Sequence, residues 1–149
     1  LIMTRSEVAE EFNYHAAAQN CHHKTSGAYT GEVSVEMLQS IGVNYCVIGH
    51  SERREYNAET NEILAAKVNL CLQHDITPIF CCGEPLSVRE AGTQNEFVAN
   101  QLKESLFHLP ANSLKGIIIA YEPICHCGSL WCSSGQRNTD SVWRKCQSQ

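Results

Sequence analysis

Asn44-Tyr45-Cys46-Val47-Ile48-Gly49-His50-Ser51-Glu52-Arg53-Arg54 passes from an apolar run through a glycine into a wholly polar stretch. The run Asn44–Gly49 is strand-sized and shows no polar alternation. That pattern suits a strand of a parallel sheet covered on both faces. Similar runs stand on either side. Thr77-Pro78-Ile79-Phe80-Cys81-Cys82 is one, with Pro78 at the strand entrance, where a missing N–H is tolerated. Gly116–Tyr121 is another, and His15–Gln19 is a brief apolar stretch ending at polar Asn20.

Helical patterns lie between these runs. Ser34 is placed to cap a short helix with Val35, Leu38 and Ile41 on one face and Gly42 as its stop. Thr60 caps a longer one through Gln73, with Leu64, Val68, Cys71 and Leu72 at helical spacing. A third runs from about Asn95 to Leu109, with Val98, Leu102, Leu106 and Leu109 on one stripe and Pro110 after it. Strand, helix, strand, helix, strand, helix, strand in sequence calls for α/β architecture with right-handed crossovers. Periodicity alone does not separate an open doubly wound sheet from a closed barrel. After Glu122-Pro123-Ile124 the composition changes. Residues 125–149 contain no Ala, Ile, Phe, Tyr or Glu, but hold four Cys and both Trp residues, and no period can be read there.

With 149 residues, 43% of them hydrophobic, the chain is long enough and apolar enough for one packed core. The formal net charge is −5 and there is no Lys/Arg-rich run, which argues against a nucleic-acid partner. No apolar stretch approaches the ~20 residues of a membrane span, so no membrane partner is expected. The opening Leu1-Ile2-Met3-Thr4-Arg5 lacks an apolar region long enough for a signal peptide, and Met3 is internal. Cys46, Cys71, Cys81 and Cys82 sit inside apolar runs, where cysteine acts as a small buried hydrophobe. Reduced thiols and a cytoplasmic location are expected.

Polar residues gather where the strands end: Gln19-Asn20-Cys21, then His50 to Arg54, then Gly83-Glu84, then Glu122. In α/β folds chemistry collects at the C-terminal ends of parallel strands. A histidine and a carboxylate delivered there from different strands can work as an acid/base pair. Glu122 follows a wholly apolar run, and a carboxylate buried there needs a partner or a task. Cys21-His22-His23 and Cys125-His126-Cys127 with Cys132 carry metal-ligand residue types but no paired C-x-x-C knuckle, so no metal is expected.

The same residues carry a family resemblance. Ala17–Cys21 with Gly27–Ser34, Val47–Arg54, Cys82-Gly83-Glu84, Arg89-Glu90-Ala91-Gly92 and Ile119–Ile124 resemble, in order and spacing, motifs of the triosephosphate isomerases. The resemblance covers roughly residues 16–124 and implies an incomplete TIM (β/α)8 barrel, with roughly four of eight parallel strands and their crossover helices. It implies an aldose–ketose isomerase of glycolysis and gluconeogenesis that interconverts dihydroxyacetone phosphate and D-glyceraldehyde 3-phosphate through an enediolate, without a cofactor. His50 matches the family's electrophile and Glu122 its catalytic base. Glu52 matches a supporting carboxylate that orients the catalytic cation, and Asn20 a residue that supports the same cation. Cys81 and Glu84 match structural residues behind the site, and Glu59 and Lys67 scaffold charges. Residue pattern alone puts Lys67 on a solvated helix face. Asn20–Ser34 matches the loop that docks into a second subunit of a homodimer, with Thr30 near the partner's site.

Three departures stand beside the matches. Residues 1–15 fit the family poorly and hold no counterpart of its first-strand lysine. Cys125–Trp131 stands where the family has a Gly/Thr-rich lid, and only Gly128 falls on a lid glycine. No glycine-rich strand ends for a phosphate follow. The expected division is a poorly matching segment 1–15, a partial barrel 16–124 and an irregular tail 125–149 that reads as out of frame. The chain as written is expected to be inactive; the rival reading is a non-catalytic partial-barrel interaction or structural module.

Overall fold

The structure, a computed structural model, describes residues 15–122. The expectations for residues 1–14 and for the tail 125–149, Gly128 and the Cys125–Cys132 cluster included, lie outside the described residues.

Four strands form one sheet: β1 (Ala17–Ala18), β2 (Tyr45–Ile48), β3 (Thr77–Cys82) and β4 (Ile118–Tyr121). They lie side by side in chain order, and every pair is parallel. The helices are α1 (Val35–Ser40), α2 (Ser51–Tyr56), α3 (Asn61–Gln73), α4 (Leu86–Glu90), α5 (Gln94–Leu106) and α6 (Ala111–Leu114). Chain order across the sheet settles what periodicity leaves open. A doubly wound sheet reverses its strand order at a switch point. A sequence that only advances, with crossovers of one hand, puts all its helices on one face. That is barrel winding, and the chain folds as an α/β partial barrel.

Burial shows the same one-sidedness. Cys46 pairs with Pro78 and Ile48 with Phe80, and all four side chains are fully buried. Their neighbours Tyr45, Val47, Thr77 and Ile79 are half-buried. Within residues 15–122 the second face is covered only in part, with Cys81 its one buried strand residue. Helices cover the face that holds Cys46, Ile48 and Phe80, and along β4 the large residues Ile118, Ile119 and Tyr121 stay exposed. Pro78 sits inside β3 without loss. Thr77 N–H donates to Asn44 C=O on the β2 side, so the nitrogen of Pro78 faces β4, whose pairing begins only at Ile79.

The helices start and stop for local reasons. Ser34 Oγ accepts from Met37 N–H to cap α1. At its other end Gly42 N–H donates to Gln39 C=O and Val43 N–H to Leu38 C=O, with Val43 and Leu38 both buried, the pairing of a Schellman stop. Thr60 Oγ1 accepts from Ile63 N–H and opens α3, whose buried face is Leu64, Lys67, Val68 and Cys71. Lys67 on that face corrects the solvated-face reading. The third helix is shorter than its apolar stripe, ending at Leu106, and Leu109 joins the core from the turn beyond. β1 is also shorter than His15–Gln19, because only Ala17 and Ala18 pair with β2.

Candidate active site

β2 delivers His50. The chain leaves β2 through Gly49 at φ +80°, where an added Cβ would meet the Cys81 carbonyl at 3.2 Å and Leu64 Cδ1 at 3.2 Å. Only a glycine turns there without strain or crowding. His50 is then the N-cap of α2, and its Nδ1 accepts the Glu52 N–H at 3.3 Å. An imidazole nitrogen that accepts carries no hydrogen, so this contact assigns the proton of the neutral ring to Nε2. Nε2 lies 3.9 Å from Glu122 Oε2. A donor N–H and a carboxylate from different strands thus face one another at the C-terminal edge of the sheet.

Glu122 is held by its backbone. Its N–H donates to the Cys82 carbonyl at 3.0 Å, continuing the β3–β4 pairing past Tyr121. The close passage requires Gly83, since a Cβ there would sit 2.5 Å from the Glu122 carbonyl oxygen. One residue earlier, Tyr121 OH donates to Glu84 Oε2 at 3.0 Å, and Arg89 Nη1 lies 3.1 Å from the other oxygen of that fully buried carboxylate. Burial raises the Tyr121 phenol above its ordinary pKa, and the Glu84 carboxylate adds to the rise, so the group stays a donor. The side chains of His50 and Glu122 are 37% and 58% exposed, open enough for a small molecule to reach both. A cleft of about 570 Å³ runs along Gly49, Ser51, Gly83 and Glu122.

Arg54 ties the strand ends together. Its Nε donates to the Gly49 carbonyl at 2.8 Å, Nη2 to the Cys81 carbonyl at 3.2 Å, and Nη1 to Asn61 Oδ1 at 2.8 Å. Its guanidinium also lies 5.6 Å from the centroid of the Phe80 ring. The residues on both sides of His50 are therefore fixed to β3 and to the start of α3.

Glu52 places Oε2 3.7 Å from His50 Nδ1, so His50, Glu52 and Glu122 come together. Asn20 is engaged elsewhere. Its Oδ1 accepts from Lys67 Nζ at 2.6 Å, and Lys67 also donates to Glu59 Oε1 at 2.7 Å. Arg53 Nε donates to the same Glu59 oxygen at 2.6 Å. The bland partner for Glu52, a salt bridge to Arg53 or Arg54, is absent from the ion pairs of the described residues. Thr30 is exposed in the loop 21–33, whose ends are tied by His22 N–H donating to Val33 C=O at 2.9 Å. Gly128 lies outside the described residues.

Residue pattern missed the Arg54 ties and the burial of Lys67, while the resemblance marked Glu59 and Lys67 as scaffold charges without their pairing. A signal for Lys67 existed, because it occupies the stripe that carries Leu64, Val68 and Cys71. Among the described residues the metal-ligand types that converge are Cys21, Cys46 and Cys71, and neither His22 nor His23 joins them. No helix of the described residues is long and apolar enough to cross a membrane.

A family model described as triosephosphate isomerase matches residues 2–140. Similar curated proteins include a triosephosphate isomerase of Cytophaga hutchinsonii, 57% identical over 112 residues, which are 75% of this chain and 45% of that protein. One of Amoebophilus asiaticus is 51% identical over 119 residues, 80% of this chain and 47% of the relative. One of Clostridium beijerinckii is 49% identical over 130 residues, 87% of this chain and 52% of the relative. The chain thus spans about half the length of the curated relatives it matches.

Proposed function

The chain belongs to the triosephosphate isomerase family, and from that membership we propose that the full-length protein interconverts dihydroxyacetone phosphate and D-glyceraldehyde 3-phosphate. The observation that carries the reading is the 3.9 Å approach of His50 Nε2 to Glu122 Oε2, with the ring proton assigned to Nε2. In this reading Glu122 removes a proton from the carbon beside the substrate carbonyl. His50 Nε2–H donates to the oxygen on which negative charge develops. Glu122 then returns the proton to the neighbouring carbon. A carboxylate suits the first and last steps because it can hold the proton between two carbons in reach. A donor already aimed at the developing charge lowers the barrier without reorganising during the step. Glu52 is a positioning residue, fixing the imidazole tautomer through its backbone N–H. The chemistry calls for no cofactor.

The assignment predicts that Glu122→Gln in the full-length enzyme lowers kcat by at least about a thousandfold. His50→Ala acts mainly on kcat as well. Steady-state assay of both variants checks this, and unchanged turnover in either refutes the roles. We also propose a cytoplasmic homodimer, in which the exposed loop around Thr30 docks against the second subunit. An aspartate in place of Ala28 puts a charge into that contact. Sedimentation should then show a dimer for the parent protein and a weakened one for Ala28→Asp; a fully active parent monomer overturns it.

A further inference from the structure

Three cysteines that the isomerase chemistry does not use meet inside the core. Cys21 follows the end of β1, Cys46 lies on the helix-covered face of β2, and Cys71 lies on the buried stripe of α3. They are 1%, 0% and 0% exposed, and all are free thiols. Their sulfurs lie within 4.8 Å of one another, with Cys21 Sγ and Cys71 Sγ 3.8 Å apart. Three sulfurs this close, contributed by three separate segments, form a preassembled set of soft donors. The spacing is close to what a shared central atom needs: three sulfurs each ~2.3 Å from it stand about 4 Å apart in a flat triangle and closer around a pyramidal centre, so small side-chain shifts bring them to it. Among the described residues no histidine or carboxylate joins the group, so the donor set is three sulfurs.

Charge decides which soft atom such a set would take. Zinc prefers four ligands and finds three here. A monovalent ion such as Cu(I) is soft enough, but three thiolates around it would leave two negative charges in a buried place whose nearest cation, Lys67, is already paired with Glu59. A trivalent centre with three thiolates is neutral. We propose that Cys21, Cys46 and Cys71 form a three-coordinate site for a trivalent thiophilic metalloid of the arsenite class. Binding is a condensation that balances without an oxidant or reductant. Each S–H gives its proton to one hydroxide of arsenous acid, a sulfur–arsenic bond replaces an oxygen–arsenic bond, and three waters leave. The occupied site would tie the segment after β1 to β2 and α3 on the helix-covered face of the sheet.

The test uses the 149-residue chain under reducing conditions, with Cys125, Cys127, Cys132 and Cys146 changed to Ser so that those thiols do not compete. Cys81 and Cys82 are successive strand residues whose side chains point to opposite faces, so they do not chelate together. With arsenite as the probe, native mass spectrometry should show one arsenic gained and three protons lost. X-ray absorption at the arsenic edge should show three sulfur neighbours. Cys71→Ala should weaken arsenite binding by more than the about 100-fold that an outer-sphere partner is worth. Cys46→Val, which keeps an apolar strand residue in place, should do the same with an unchanged circular dichroism spectrum. Absence of binding, two sulfur neighbours, binding indifferent to Cys46→Val, or uptake of Cu(I) without arsenite would each overturn the assignment.

Discussion

Lys67 bears an ammonium on the packed stripe of α3, and two oxygens make that tolerable. Glu59 Oε1 and Asn20 Oδ1 accept from it at 2.7 and 2.6 Å, while Arg53 adds a second cation to Glu59. Burial alone would raise the Glu59 carboxyl, but the hydrogen bonds and charges of Lys67 and Arg53 outweigh it and hold the group below its ordinary value. The sign follows from linkage. A carboxyl depressed in the fold stabilises above the ordinary carboxylate value, and the contribution is lost as pH falls through the depressed one. Lys67→Met leaves Glu59 with a buried charge only partly compensated, so urea unfolding at neutral pH should show a loss of about 3–5 kcal/mol. A change within about 0.5 kcal/mol is what a solvated lysine would give and would restore the surface reading. Glu59→Gln should flatten the acid limb of the stability curve below about pH 4, where the parent loses this contribution.

The β3–β4 junction carries the backbone contact that fixes the position of Glu122. Gly83 lets the Glu122 backbone run close to β3, so Gly83→Ala must push that backbone away. In the full-length enzyme this should lower kcat by about 100-fold, the cost of misplacing a reacting group by about 1 Å, with KM moving less. Steady-state kinetics checks it, and an unchanged kcat would mean that the junction gives way elsewhere. The elements visible in the sequence share a pattern: each carries an apolar run or stripe, buried in β2, β3, α1 and α3 and left largely exposed in β4. β2, β3 and β4 are continuous apolar runs, and α1 and α3 carry a cap and a stripe. The short helices α2, α4 and α6 bury no residue, so no stripe betrays them. α2 rests instead on the His50 cap and on the ties of Arg53 and Arg54. The placement of His50 and Glu122 at strand ends was legible because each closes an apolar run; their roles come from the family resemblance and belong to the proposed function. The proton assignment on His50 was not, since it depends on where one backbone N–H points. The thiol cluster was hidden for a related reason: its members belong to three elements that meet only in the fold.

The sheet is wound in one direction and packed mainly on one face, so its strands curl around an inner side that residues 15–122 fill only in part. On that side Ile118, level with the half-buried Ile79, stays exposed, and the same openness reaches the site. With Glu122 58% exposed, water competes for the base and weakens every charge interaction that the step relies on. The cations of the neighbouring segments are also committed. Arg53 serves Glu59, Arg54 serves backbone carbonyls and Asn61, and Lys67 serves Asn20 and Glu59. None of them is directed at Glu52 or at the space between His50 and Glu122. A phosphorylated substrate would meet a chain of net charge −5 and, among the described residues, find none of these three cations free to hold its anion. Under the proposed function, His50 and Glu122 would supply the groups for proton transfer, and the substrate binding that turns such a pair into a catalyst would have to come from elsewhere than these three cations. The purified 149-residue chain should show no turnover of dihydroxyacetone phosphate above the uncatalysed rate in a coupled assay. Turnover by this chain that Glu122→Gln abolishes would mean that the open pair suffices without a cation or an enclosed site.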